Sequence, residues 1–137
     1  MLLDIREQLD DPVIRELIEY AIFPDPERVE RALEDYKTNQ DLEIYAWEEE
    51  GAVVGVIGIR IQLSTMVIEL ISVEPVSRRL GYGRGLILEL LERKQPEQIV
   101  AETDDEAVDF YRNIGFTITS LGEKYPGVER FMCVYEV

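Results

Sequence analysis

The 137-residue chain contains no histidine, a single cysteine, and only 14 Lys and Arg against 29 Asp and Glu. Without histidine, Ser-His and Cys-His catalytic pairs and His-ligated metal centres are excluded, and no metal cofactor is expected. Acid–base chemistry must use Asp, Glu, Tyr, Cys, Lys, the α-amine or water. The lone Cys133 cannot form an intramolecular disulfide and suits a reducing compartment. On a closing strand of alternating character it reads as a small core residue. No apolar run approaches the roughly 18 residues of a membrane span. The opening "MLLDIREQLDD" lacks a basic region, a long apolar run and a small-residue cleavage site, so a cytoplasmic protein with no membrane partner is expected. The shortage of basic residues leaves a net charge of −15 and argues against nucleic acid as a partner. So much negative charge either concentrates cationic small molecules near the surface or simply keeps the protein soluble.

What the chain does have is enough apolar material, 46% of its residues, for one folded domain over 1–137. Repeats, low-complexity tracts and linkers are missing. "LLDIRE" reads as a short strand. Asp11-Pro12 and Asp25-Pro26 each pair a cap with a proline at the first helical position, and predict two helices, the second with Val29, Leu33 and Tyr36 on one face. "LEIYAWEE", with Trp47 as a packing residue, and "VVGVIGIRIQL" read as strands joined by a turn. "MVIELISV" is nearly all apolar, as expected of a central strand covered on both faces. A helix over "GLILELLERK", the strand "QIVA" and a helix ending at Gly115 follow. Strands "FTITSL" and "RFMCVYEV" close the chain around the loop "GEKYPGVE". The order predicts a mixed α/β (α+β) domain with one main sheet.

One window departs from the general charge. From Pro75 to Leu88 there is no acid, but Arg78, Arg79 and Arg84 interleave with Gly81, Gly83 and Gly85 ahead of a predicted helix. A glycine turn between strand and helix offers backbone N–H groups and a positive helix end to a phosphate, and guanidinium groups match that geometry. A tight turn with solvated arginines is the plainer alternative. Two familiar phosphate loops fail: the dinucleotide fingerprint needs glycine where Leu86 stands, and the phosphate-loop tripeptide Gly-Lys-Ser/Thr does not occur.

The run Arg78-Arg79-Leu80-Gly81-Tyr82-Gly83 satisfies R/Q-x-x-G-x-G/A and follows Val73-Glu74-Pro75. It resembles the pyrophosphate-binding motif of the GNAT superfamily of acyl-CoA-dependent N-acyltransferases. A second stretch, Ala107 to Phe116, is similar to that family's A-x-x-F-Y-x-x-x-G-F segment. The resemblance covers nearly the whole chain and is strongest from Val67 to Phe116.

The resemblance implies the GNAT fold: a mixed, mostly antiparallel central sheet, splayed at the cofactor site and flanked by about four helices. It implies acetyl-CoA as co-substrate and direct transfer of its acetyl group to a primary amine. The pyrophosphate would meet backbone N–H groups from Arg79 through Leu80, Gly81, Tyr82 and Gly83 to Arg84, with charge from Arg78, Arg79 and Arg84. A free amide among Ile71, Ser72 and Val73 would polarise the thioester. Tyr111 would protonate the departing thiolate; as a plain helix residue it would pack with Phe110 and Ile114. Glu69, expected to be desolvated, is the candidate base for the amine, or else a structural glutamate held by a backbone or arginine partner or lying at the open splay. Glu102 is a second, weaker candidate. Asp104 stands where many family members carry a cofactor-contacting asparagine, and it also suits a helix cap.

The acceptor is expected to be a small or lysine-like amine, with cationic character favoured by the acidic surface. Tyr20 to Phe23 and Glu123 to Pro126 are the segments expected to line it, with Phe23 and Tyr125 as walls and Glu123 as an ammonium anchor. A homodimer is common in the superfamily and is an open expectation here. The competing reading is a non-catalytic module of the same fold that binds coenzyme A or a protein partner.

Overall fold

A computed structural model describes residues 1–22 and 25–137. Both predicted caps form. The Asp11 carboxylate accepts from the Val13 N–H at 2.9 Å and opens α1, Pro12–Ala21. Asp25 accepts from the Glu27 N–H at 3.0 Å and opens α2, Pro26–Thr38. Each carboxylate satisfies an amide that the first helical turn leaves without a partner. The remaining elements are β1 (Leu2–Asp4), β2 (Leu42–Glu49), β3 (Ala52–Gln62), β4 (Thr65–Val73), α3 (Tyr82–Lys94), β5 (Gln98–Asp104), α4 (Val108–Asn113), β6 (Thr117–Tyr125) and β7 (Val128–Glu136). Short 3-10 turns lie at Arg6–Gln8 and Pro75–Ser77. Among the described residues the strands hydrogen-bond in the order β1-β2-β3-β4-β5-β7-β6, mostly antiparallel, with β4 and β5 parallel. This is the mixed α/β class expected.

The chain divides into two compact units: Met1–Arg60 with Glu69–Gln95, and Ile61–Ile68 with Pro96–Val137. In the first, α1 and α2 bury Ile14, Leu17, Ile18, Val29, Leu33 and Tyr36 in one cluster with Ile44, Ala46 and Val56 of the strands. These helical positions recur at three- and four-residue spacing, the pattern of a helix with one apolar face. Tyr36 comes so close to β3 at Gly58 that a Cβ there would lie 2.1 Å from its hydroxyl oxygen. Glycine at 58 is therefore what admits the tyrosine. Leu86, Ile87 and Leu90 are the buried positions of α3, and Leu86 lies against the backbone at Gly55.

In the second unit, β5 pairs with β7 along its whole length, from Gln98 opposite Glu136 to Asp104 opposite Arg130. Helix α4 lies against β6 and β7. Phe110, Tyr111, Phe116 and Tyr135 form a run of ring contacts with centroids 5.0 to 5.5 Å apart, and Cys133 is fully buried. The expected loop "GEKYPGVE" is mostly strand. β6 runs on to Tyr125 and β7 begins at Val128, with register shifts at Ser120/Gly122 and Glu123/Tyr125. The bulges absorb Gly122, whose φ of +78° would otherwise end the strand.

Candidate active site

In the first unit the acid-free window becomes the entry to α3. Gly81 caps that helix with φ +88°, a left-handed conformation costly to any residue with a Cβ. The cap supplies no side-chain hydrogen bond, and no acid stands in the first turn. The first bond of the helix runs from the Gly85 N–H to the Gly81 carbonyl at 2.9 Å. The N–H groups of Tyr82, Gly83 and Arg84 thus open the helix without intrahelical partners. They sit at the positive end of thirteen residues of aligned peptide dipoles. Such an arrangement has the polarity and free donors to suit an anion.

The arginines divide their work. Arg79 and Arg84 are exposed beside the helix start, Arg79 itself at φ +68°. Arg78 turns inward. Its Nε donates to the Val73 carbonyl at 2.9 Å, and its guanidinium lies 5.7 Å from the centre of the Tyr20 ring. It braces the loop against the end of β4 and against α1. Nothing in the sequence signalled this role, because the partners lie five and 58 residues away.

β4 leads into this loop. Its parallel ladder with β5 covers Thr65 to Ile68, opposite Gln98 to Ala101, whereas β4 continues to Val73. Ile71, Ser72 and Val73 all belong to that continuation. The Ser72 hydroxyl is buried and has no hydrogen-bond partner among the described residues.

Burial along β4 alternates rather than running continuous. Met66, Ile68, Leu70 and Ser72 are buried, whereas Glu69 is exposed. The expectation of a desolvated Glu69 is therefore corrected. Its carboxylate reaches water and accepts from Arg60 Nε at 2.9 Å. Period-two alternation shows which residues share a face but not whether that face is covered.

The second unit carries the other candidates. Tyr111 is 4% exposed, set edge-on to Phe110 and Phe116. Burial, with a smaller contribution from Cys133, pushes its phenol well above the ordinary value of 10. A group so displaced is protonated at neutral pH and can act as a hydrogen-bond donor. Asp104 accepts from the Glu106 and Ala107 N–H groups, both at 3.1 Å, so its carboxylate orders the turn before α4. Glu102 is tied by Lys124 at 3.1 Å and Arg130 at 3.2 Å. Lys124 foremost, and then Arg130, hold its carboxyl below the usual 4.5 despite partial desolvation, which makes it a poor base. Tyr125 is exposed and, with Glu123, lies on β6. Phe23 lies outside the described residues. Among the described residues no group of three or more Cys, Asp or Glu is arranged to hold a metal ion, and no helix is long and apolar enough to cross a membrane.

The Glu102 ion pairs make a testable statement about stability. A depressed carboxyl value contributes stability above the unfolded value, and the contribution is lost as pH falls through the folded one. Glu102→Gln is expected to cost up to about 1 kcal/mol at pH 7, a small effect because the pair is partly exposed. The gap between wild type and variant in thermal unfolding should shrink as pH falls below the usual carboxyl range of about 4.5. Equal midpoints at pH 7 would mean that these ion pairs contribute nothing.

Residues 11–116 match the Acetyltransferase (GNAT) family. An uncharacterized N-acetyltransferase in the lysA 3' region of Bacillus methanolicus is 25% identical over 84 residues, which are 61% of this chain and 70% of that one. A Desulfovibrio desulfuricans protein assigned to the GNAT family superposes with a TM-score of 0.83 at 19% identity, covering 99% of this chain and 98% of the other. A GNAT family acetyltransferase from Elizabethkingia anophelis with acetyl-CoA bound gives a TM-score of 0.73 at 17% identity, covering 100% and 97%. At such identities the structural likenesses speak for the fold, while the sequence match, across most of the chain and both motifs, speaks for descent. The chain belongs to the GNAT family of acetyltransferases.

Proposed function

We propose that the protein moves an acetyl group from acetyl-CoA to a primary amine, the amine attacking the thioester directly in a ternary complex. The observation that carries this reading is the start of α3: a left-handed Gly81, no side-chain cap, no acid in the first turn, and exposed Arg79 and Arg84 beside it. These features suit a pyrophosphate dianion and have little other use in a protein of net charge −15.

In this reading the amides of Tyr82, Gly83 and Arg84 receive the pyrophosphate. An amide in the Ile71–Val73 stretch polarises the thioester carbonyl. The nitrogen–carbon bond forms, the carbon–sulfur bond breaks, and Tyr111 donates to the sulfur as it leaves. The proton lost by the amine goes to water, with the solvent-exposed Glu69 as a relay rather than a desolvated base. The acceptor is a small amine of cationic character, in keeping with the acidic surface.

One observation favours the non-catalytic alternative. Asp104 replaces the family's asparagine and uses a carboxylate oxygen on its own turn. An asparagine could cap in the same way and still donate through its amide; an aspartate cannot. In a module of that kind, coenzyme A binds and no acceptor is turned over.

Calorimetric titration with acetyl-CoA, coenzyme A and ATP tests the reading. Micromolar binding of acetyl-CoA, much weaker binding of ATP, and at least a tenfold loss in Gly81→Val are expected, because valine resists the left-handed conformation. Absence of coenzyme A binding to folded protein would remove the reading. Tight binding without thiol release across an amine panel would favour the module.

A further inference from the structure

In the first unit, α1 carries more apolar surface than its core uses. Its inward stripe is Ile14, Leu17 and Ile18. A second stripe, Val13, Leu17 and Tyr20, at positions i, i+4 and i+7, leaves Val13 and Tyr20 each 50% exposed. Facing it is the 3-10 turn after β4, where Val76 is 86% exposed. Between them lies a depression of about 280 Å³, lined by Val13, Glu16, Leu17 and Tyr20 on one side and by Glu74, Pro75 and Val76 on the other.

Its two carboxylates have neutral partners. Glu16 accepts from the Tyr20 hydroxyl at 3.1 Å and Glu74 from the Ser77 hydroxyl at 2.5 Å. Among the described residues neither has a basic group within 4.0 Å. The nearby arginines are otherwise engaged: Arg15 with Glu19 and Glu30, Arg78 with the Val73 carbonyl and the Tyr20 ring. Two oriented negative charges therefore adjoin exposed hydrocarbon in a groove that begins one residue beyond β4. The Tyr20 ring stands between this groove and the cationic corner, taking Arg78 at its face while its hydroxyl bonds to Glu16.

We propose that this groove binds the acceptor as a small ammonium with an apolar body, an alkyl- or arylalkylamine. The ammonium lies at Glu16 and Glu74, and the hydrocarbon covers Val13, Leu17 and Val76. The volume is slightly under the ~300–1,000 Å³ of drug-sized pockets, which fits a single small amine. A polyamine would meet the charges but leave the hydrocarbon uncovered. A neutral alcohol of the same shape would do the reverse. That the bound amine is then acetylated rests on the transfer reading above; its binding does not.

The test is an NMR titration of ¹⁵N-labelled protein with 2-phenylethylammonium, 2-phenylethanol and spermidine. The ammonium is expected to shift the amides of Val13, Glu16, Leu17, Tyr20 and Val76. The alcohol and spermidine should each bind there at least tenfold more weakly. The Glu16→Gln/Glu74→Gln variant, which keeps acceptors for Tyr20 and Ser77, should lose the ammonium's advantage over the alcohol. Shifts confined to other surfaces, or equal binding of ammonium and alcohol by wild type, would overturn the proposal. So would spermidine binding as tightly in the groove. Adding acetyl-CoA to the same sample separates the two readings. Groove binding without acetyl-CoA binding sustains the cation site and removes the transferase, and the opposite pair of results does the reverse.

Discussion

Replacing Tyr111 by phenylalanine is expected to lower turnover about a hundredfold while acetyl-CoA binds within twofold of wild type. The substitution keeps the ring that sits edge-on to Phe110 and Phe116 and removes only the hydroxyl. Stability should therefore change little, and the loss should fall on the chemical step. Burial raises the phenol above 10, whereas a thiol ionises near 8.5. Complete proton transfer from tyrosine to thiolate is thus uphill, by at least about 2 kcal/mol. Tyr111 would act through a hydrogen bond that strengthens as charge grows on sulfur, and not through net ionisation.

Two consequences separate this from a packing role. Wild-type turnover should show no limb from this phenol below about pH 10, and the deficit of the phenylalanine variant should be constant between pH 6 and 9. Pre-steady-state turnover at saturating acetyl-CoA is the measurement. An unaltered rate in the variant would return Tyr111 to the core.

The second large effect is on folding. Gly58→Ala should destabilise the protein by about 1–3 kcal/mol, roughly 4–12 °C in midpoint for a domain of this size. The alanine methyl would lie 2.1 Å from the Tyr36 hydroxyl oxygen, 2.5 Å from Cζ and 3.0 Å from Cε1. Tyr36 is 4% exposed, so its ring can yield only by displacing packed neighbours. Trimming the tyrosine in the alanine background gives the check. Tyr36→Phe removes the oxygen but leaves Cζ in conflict, so it should recover little. Tyr36→Leu removes the ring and should make the double variant less costly than the sum of the singles. Simple additivity would mean that Gly58 is needed for some reason other than the tyrosine.

These outcomes turn on features of uneven visibility in the sequence. Asp11-Pro12 and Asp25-Pro26 marked helix starts because a cap acts on amides two residues away, within the same short string. The Gly81 turn was visible for the same reason: backbone conformation is a local demand on residue type. The two family motifs then brought the fold with them. Coverage was not visible. "MVIELISV" has the composition of a strand buried on both faces, yet Glu69 reaches solvent and Arg60. The depressed carboxyl of Glu102 depends on Lys124 and Arg130, brought in by strands β6 and β7. The groove on α1 joins segments some sixty residues apart, each ordinary alone. Gly122 looked like the end of a strand because a bulge and a turn call for the same residue.

That bulged strand bears on how the protein behaves in a crowded solution. β6 pairs with β7 and closes the order of the sheet, so its outer row of amides and carbonyls is a template on which another strand could grow. Its nine residues are exposed along almost their whole length, which would ordinarily invite fibrillar stacking. Two register shifts break the row into short, differently twisted pieces, and Lys124 adds charge before Pro126 ends the run. Among the described residues, the outer edge of this hairpin is therefore too uneven to template a matching strand.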